Sequence, residues 1–410
     1  MEGEDMTNTK LLIVADDFTG GLDTGVQFAR RGIATRIVIN PKQSGEWTET
    51  DGQVLVAVIE SRHLPPEDAY EAVFRVVDAA KRAGIPYVYK KTDSALRGNI
   101  GAELSAALAA SGADMLPFLP AFPRMRRATV GGQHYIDGVP VSESAFGRDP
   151  FNPVLESDVR QLISAQTDAQ VWNAAAETLV AGRGICVVDA QSDEDLRRAG
   201  MRLGKLDALS VSAGCAGFAA FLPSLLKLKT GAPPALPALG DGLLVVCGSV
   251  NPITRRQLDW AEAHGFVRLR LTPAQKLGAG IIAVPPPQTQ WLILDANDLD
   301  PDNIQTRTYA EDRGWDLDEV RRRIAASLAE ALAAVEPVWS GALLITGGDT
   351  LLQCLARLGG QEIEPLLELS PGVVLSKCRL TDRERLIISK SGGFGGETLL
   401  TDLRNLIERP

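Results

Sequence analysis

Short apolar runs, each closed by a polar or glycine-rich turn and followed by a stretch of helical period, recur along the whole chain. The first, Leu11–Ala15, reads Leu-Leu-Ile-Val-Ala and leads directly into Asp16-Asp17-Phe18-Thr19-Gly20-Gly21. A run apolar on both faces suits a strand covered on both sides of a parallel sheet. Repeated alternation of this kind implies βα units wound on both faces of a mostly parallel sheet. The first half predicts strands at Leu11–Ala15, Ala34–Ile39, Val54–Ile59, Tyr87–Lys91, Met115–Pro120 and Gly184–Asp189. Helices are expected over Asp23–Arg31, Pro66–Gly84, Ile100–Ala110 and Asp193–Leu203. The segment Arg124–Pro153 breaks the alternation. Its Gly131-Gly132 and Asp137-Gly138 pairs mark a hairpin-like excursion over the sheet.

A chain of 410 residues is longer than one hydrophobic core usually serves, since cores stop growing at roughly 250–300 residues. The stretch Lys229–Gly240 is rich in Pro, Gly and Ala and lacks a helical period, so it reads as a linker. A second α/β unit follows. Its expected strands are Gly242–Gly248, Trp291–Asp295, Ala342–Thr346 and Leu386–Ser389. Its expected helices are Ile253–His264, Leu317–Val335, one running to Leu358 and one running to Ile407. The fold class is therefore α/β: two α/β domains, residues 1–230 and 241–410, with mostly parallel sheets joined by a Pro/Gly-rich linker. The active site is expected in the interdomain cleft.

A net charge of −10 argues against binding to nucleic acid or to an anionic membrane surface. No apolar run reaches the length of a membrane span. The five cysteines are widely spaced, with no C-x-x-C, as in a reduced cytoplasmic protein. The acidic start Met1–Met6 is unlike a secretory signal. Three histidines far apart in sequence disfavour a histidine-rich zinc site or a Ser-His-Asp triad.

In open α/β sheets, ligands bind beyond the carboxyl ends of the strands. Asp16, Asp17 and Asp23 fall there, where carboxylates can hold Mg²⁺, accept sugar hydroxyls or take a proton. One aspartate could equally cap the next helix. Glu60-Ser61-Arg62-His63 follows another strand, and Arg62 is a candidate carboxylate clamp. His63 reads as a surface histidine. The cluster Lys90-Lys91-Thr92-Asp93-Ser94-Ala95-Leu96-Arg97 follows a third strand, with cations for an acid and Ser94 and Asp93 for hydroxyls. Arg124, Arg126 and Arg127 read as a solvated basic loop able to steer an anion.

In the second unit, three strand ends carry small donor-rich turns: Gly248-Ser249-Val250-Asn251, Gly347-Gly348-Asp349-Thr350 and Ser391–Gly396. Glycine lets the backbone approach a ligand, and helix N-termini aim N–H groups at phosphate. Together they read as a nucleotide-phosphate site. Neither G-x-x-x-x-G-K-[ST] nor a strand-linked G-x-G-x-x-G is present, so this is no P-loop, and a dinucleotide fingerprint is lacking.

Several of these motifs, in order, resemble the four-carbon acid sugar kinases. They are Ala-Asp-Asp-Phe-Thr-Gly-Gly-Leu-Asp-Thr-Gly-Val-Gln-Phe-Ala at Ala15–Ala29, Glu60–His63, Lys90–Glu103, His134–Pro150, Gly248-Ser249, Gly347–Thr350 and Lys390–Gly395. They run nearly end to end. The resemblance implies phosphorylation of acids such as threonate, erythronate or 3-oxo-tetronate with ATP and Mg²⁺. It implies an acid-sugar-binding first domain and an ATP-binding second one. Site residues carried over are Asp17, Arg62, Lys91, Thr92, Asp93 and Ser94 for substrate and Ser249, Gly347, Gly348, Asp349, Thr350 and a glycine of Gly392-Gly393 for ATP. Asp16 and Arg97 join the substrate set from the residue reading, and Asp93 or Asp17 is the expected proton acceptor. Asp349 is a candidate Mg²⁺ carboxylate. The chain departs at two places: Gly393 stands where the family usually has Asn, and Met125-Arg126-Arg127-Ala128 where it has an Asn-Gly-Arg-Thr-like turn. The resulting expectation is a cytoplasmic kinase acting on the terminal hydroxyl of a short sugar acid, with a homodimer admitted. A non-catalytic sugar-acid sensor is the alternative.

Overall fold

The computed structural model describes residues 8–39, 41, 52–149, 152–278, 289–300, 302–360, 362–380 and 383–408. The acidic start Met1–Met6, and Pro150 and Phe151 of the hairpin excursion, lie outside them. The chain divides into two compact units, Met1–Pro234 and Ala235–Pro410.

Unit one opens β1 (Leu11–Ala15), α1 (Phe18–Ala29), β2 (Thr35–Ile39), β3 (Val54–Val58), α2 (Pro66–Arg82), β4 (Tyr87–Lys91), α3 (Ile100–Ser111) and β5 (Met115–Leu119). The excursion is a small antiparallel sheet of β6 (Arg127–Val130), β7 (Gln133–Ile136) and β8 (Val139–Pro140). Then come α4 (Val159–Ser164), β9 (Val171–Ala174), β10 (Gly184–Val188), α5 (Asp193–Lys205), β11 (Val211–Gly214), α6 (Ala216–Ala219) and α7 (Leu222–Leu225). The main strands pair in parallel in the order β2-β3-β1-β4-β11-β5-β10-β9. Every residue of β1, β3 and β5 is buried, as strands covered on both faces require. One face packs α2 and α3 through Val73, Val77, Leu104 and Ala107 onto Leu12, Leu55 and Leu116. The chain leaves β1 towards β2 and β3, then crosses back to β4. That reversal is the place where open sheets form a ligand crevice.

Unit two comprises β12 (Leu243–Cys247), α8 (Pro252–Ala263), β13 (Val267–Arg270), α9 (Pro273–Lys276), β14 (Trp291–Asp295), α10 (Ile304–Glu311), α11 (Leu317–Val335), β15 (Ala342–Thr346) and α12 (Gly348–Leu358). It ends with β16 (Glu362–Ser370), β17 (Val373–Arg379), β18 (Glu384–Lys390) and α13 (Leu399–Glu408). Strands β13-β14-β12-β15-β18 are parallel, and β17 and β16 continue the sheet antiparallel. Among the described residues no helix is long and apolar enough to cross a membrane. All five cysteines are buried thiols.

One helix begins earlier than its glycines suggest. Asp17 caps α1, its Oδ1 accepting the Gly20 N–H at 3.1 Å, so Gly20 and Gly21 lie in the first turns of the helix and not in a loop. A Cβ on Gly20 would stand 2.4 Å from Lys91 Nζ, and one on Gly21 2.8 Å from Val58 Cγ2. The tighter demand is at Gly21, whose neighbour is the branched Val58 side chain at the end of β3, while Gly20 faces the movable tip of Lys91. Asp23 is consequently a helical residue of α1, one turn in from the strand end.

Candidate active site

The register sets the first group of side chains side by side. Ala15, the last residue of β1, pairs with Val58 of β3 and Lys91 of β4, and Lys91 pairs with Gly214 of β11. The residues just beyond these ends therefore share one rim. Arg62 reaches across it, donating from Nε to Asp16 Oδ2 at 2.8 Å and from Nη1 to Asp17 Oδ2 at 2.9 Å. Its Nη2 lies 2.7 Å from each of those aspartates and 3.8 Å from Asp93 Oδ1. Arg97 holds Asp93 with a two-pronged bond, Nε to Oδ2 at 2.9 Å and Nη2 to Oδ1 at 3.1 Å, and also reaches Asp149. The Ala95 and Arg97 N–H groups donate to Asp93 Oδ2 as well. Lys91 Nζ lies 4.0 Å from Asp16 Oδ1.

Burial would raise the Asp93 carboxyl, but Arg97 and Arg62 outweigh it and hold it well below the usual carboxylate range. The same contest at Asp16, with Arg62 and Lys91 opposing burial, leaves its carboxyl lowered. Asp16 Oδ1 and Thr92 Oγ1 are buried with no hydrogen-bond partner. Buried polar atoms of this kind are completed by an ordered water or by a polar ligand. Beneath the rim, Lys90 Nζ and Glu103 Oε2 form a fully buried pair at 3.0 Å, with Ser61 donating to Glu103. Asn99 fixes the Ser61–Leu64 loop through both carbonyls.

The β6–β8 hairpin adds two residues whose place the sequence does not reveal. His134 Nε2 donates to the Ser94 carbonyl at 3.0 Å, and Thr129 Oγ1 bonds its Nδ1. Burial pulls the His134 imidazole down to about 4, so the ring is neutral near pH 7. Arg127 donates to Ser94 Oγ and lies 5.2 Å from the centre of the Phe146 ring. In sequence, Arg124-Met-Arg-Arg looks like a solvated loop. The His134–Pro150 motif beside it was the available signal. His63 bonds Asn152 at the site's margin.

In unit two the three turns meet. Cys247 pairs with Thr346 and Thr346 with Lys390, so β12, β15 and β18 end level. A Cβ on Gly248 would stand 2.0 Å from Thr350 Oγ1, and one on Gly392 2.8 Å from Ser249 Oγ. Gly393 is 3.7 Å from Asn251 Nδ2 by the same measure. Gly347 has φ +106°, a conformation that side chains other than glycine's resist. Asn251 caps α8, and α12 begins at Gly348, so two helix N-termini open beside Ser249. That geometry favours anions. Lys390 supports the third turn from below, donating to Thr254 Oγ1 at 2.9 Å and to the carbonyls of Ser391 and Gly392. Asp349 is exposed and lies 3.0 Å from Arg321 Nε. Among the described residues no group of three or more His, Cys, Asp or Glu side chains could hold a metal ion.

Comparison with known proteins joins the two units into one class of protein. The pattern of a sugar-binding N-terminal domain matches residues 11–222, and that of a nucleotide-binding C-terminal domain matches residues 244–400. A sugar-binding domain followed by a nucleotide-binding one defines a sugar kinase, a phosphotransferase with an alcohol group as acceptor. The chain belongs to the four-carbon acid sugar kinase family. A Bordetella bronchiseptica D-threonate kinase is 32% identical, over 95% of each chain. A Salmonella typhimurium D-threonate kinase is 29% identical, over 97% of this chain and 98% of its own. A Methylobacterium radiotolerans 3-oxo-tetronate kinase is 26% identical, over 93% and 96%. The solved structure of a Haemophilus influenzae protein covers 97% of this chain and 100% of its own, with a TM-score of 0.70 at 20% identity, and so shares the fold.

Proposed function

We propose that this kinase transfers the γ-phosphoryl group of ATP to the terminal hydroxyl of a four-carbon sugar acid of the threonate, erythronate or 3-oxo-tetronate kind. The observation that carries the reading is the buried rim of Asp16, Asp17, Lys91, Thr92 and Asp93, whose Asp16 Oδ1 and Thr92 Oγ1 have no hydrogen-bond partner in the protein and suit a polyhydroxy ligand. The relatives' names set the substrate class.

In this reading Lys91 attracts the acid, while Asp16 Oδ1, Thr92 and Ser94 bind hydroxyls. Arg62 differs from its expected part. Its donors go to Asp16 and Asp17, so it holds the carboxylates in place and not the substrate's acid group. Asp17 has the most exposed side chain of the three carboxylates, at 21% against 10% for Asp93 and 2% for Asp16. We assign it the acceptance of the hydroxyl proton. The hydroxyl oxygen bonds to Pγ, the bond from Pγ to the β–γ bridging oxygen breaks, ADP leaves, and the proton passes to Asp17. Asp93, kept ionised by Arg97, orients the hydroxyl.

For ATP, Ser249, Gly347, Gly348, Thr350, Gly392 and Gly393 supply backbone and hydroxyl donors at two helix N-termini. The chain fits Mg²⁺ as an ion carried on ATP phosphates and water, since Asp349 is engaged by Arg321. Bound so, the ion neutralises phosphate charge.

The test is ADP release with MgATP against four-carbon acids, for wild type, Asp17→Asn and Asp93→Asn. Asp17→Asn should lower kcat by about 10²–10⁴-fold with the MgATP KM unchanged. A larger kcat loss in Asp93→Asn would transfer the proton-accepting role to Asp93. No turnover on any acid, with MgATP still bound, would refute the substrate class.

A further inference from the structure

We propose that Arg127, carried into the site by the β6–β8 hairpin, binds the substrate's carboxylate and makes the enzyme select acids over the matching polyols. The inference rests on the sugar-acid reading above and names the group that recognises the acid.

Four cations surround the rim, and three of them face carboxylates of the protein. Arg62 is taken by Asp16 and Asp17, Arg97 by Asp93 and Asp149, and Lys91 stands 4.0 Å from Asp16. Arg127 has no carboxylate within salt-bridge distance among the described residues. One of its terminal nitrogens, Nη1, donates to Ser94 Oγ. Its Nε is buried without a hydrogen-bond partner. The Nε–Nη2 edge of the guanidinium is thus left open, and that edge matches a carboxylate in the two-pronged geometry arginine favours.

The surroundings support this. Burial pulls the Arg127 guanidinium below its ordinary value, as expected of a cation lacking a close counter-ion. Removing a charge from water without a partner is costly, and an arriving carboxylate removes that cost. The Phe146 ring lies 5.2 Å from both Arg127 and Arg97, which orients the planar group and dries one face of it. Ser94 ties the assembly to the hydroxyl-binding rim: its side chain meets Arg127 and its carbonyl meets His134. An acid held on Arg127 therefore has its hydroxyls close to Ser94.

The experiment compares wild type with Arg127→Gln and Arg127→Lys. Binding of D-threonate and D-erythronate is measured by calorimetry, alongside threitol and erythritol, which carry –CH₂OH in place of the carboxylate. Steady-state kinetics then give KM and kcat for any acid turned over. Arg127→Gln should weaken acid binding about 10- to 100-fold, the usual effect of losing charge-assisted hydrogen bonds. Polyol binding and the MgATP KM should stay unchanged, so preference for the acid collapses. Arg127→Lys keeps the charge without the fork and should fall between the two. Acid affinity preserved in Arg127→Gln would overturn the proposal. Equal weakening of acid and polyol would also overturn it, since that marks a packing role. A wild-type enzyme that neither binds nor phosphorylates any acid would instead refute the sugar-acid reading on which the proposal stands.

Discussion

Lys390 closes β18 with its ammonium under the third turn of the proposed phosphate cradle, giving hydrogen bonds to Thr254 and to the carbonyls of Ser391 and Gly392. Burial brings it from 10.5 down to about 8. At about 1.4 kcal/mol per unit, that places roughly 3 kcal/mol against the charged form in the nucleotide-free fold. Cys247 faces it from β12, but burial pushes that thiol up, so it stays neutral and supplies no counter-charge. The folded value lies below the unfolded one, so the unfolded chain binds more protons between about pH 8 and 10.5. Stability of the free protein is full above that window and is lost as pH falls towards 8. Phosphate reverses the preference, because its negative charge favours the ammonium. MgATP binding should then take up a proton wherever free Lys390 is neutral, and affinity should fall by up to about tenfold per pH unit above 8. Calorimetry in buffers of different ionisation enthalpy counts that proton. Uptake should be near zero at about pH 7 and approach one proton at about pH 9. Lys390→Met should abolish it. Flat affinity across this range in wild type, or undiminished proton uptake in Lys390→Met, would refute the reasoning.

Two further outcomes follow from packing. Gly248→Ala places a methyl 2.0 Å from Thr350 Oγ1, so overpacking should cost about 1–3 kcal/mol of stability. MgATP affinity should drop while acid binding by calorimetry is retained, and wild-type MgATP affinity would count against Ser249 and Thr350 forming one cradle. Glu103→Gln leaves Lys90 charged and buried without its partner, a loss of about 3–5 kcal/mol and roughly 6–20 °C in the melting of unit one. Lys90→Met with Glu103→Leu should be much milder, and a double variant as damaged as the sum of the single ones would argue against a coupled pair.

The strands that carry the site were legible because each is short, apolar on both faces and followed by polar or glycine residues. Their carboxyl ends then had to form the rims. What was not legible depends on distant partners. Arg62 reads as a clamp for a ligand's acid until the fold brings Asp16 and Asp17, more than forty residues earlier, against it. Arg127 reads as solvated until Ser94, 33 positions before it, receives its Nη1. The start of α1 was hidden because Gly20-Gly21 has the composition of a turn, while the true demand is close approach to Lys91 and Val58. Strands β16 and β17 are hidden in the sequence for another reason. They lie antiparallel beyond β18, and β16 opens with exposed Glu362 and Glu364 alternating with buried Ile363 and Pro365, so no continuous apolar run announces it.

The order of strands in unit two also bears on synthesis. Strand β18 lies between β15 and β17, yet it leaves the ribosome after both. Until it emerges, two neighbouring strands show open edges and the proposed phosphate cradle lacks one wall. All of unit one precedes it in the chain, so a nascent chain that already carries the whole rim of unit one still lacks one of the three turns proposed to hold the nucleotide. On the function proposed above, phosphoryl transfer would be the last capability the growing polypeptide acquires, and the unpaired edges of β15 and β17 are where that interval exposes it to misassembly.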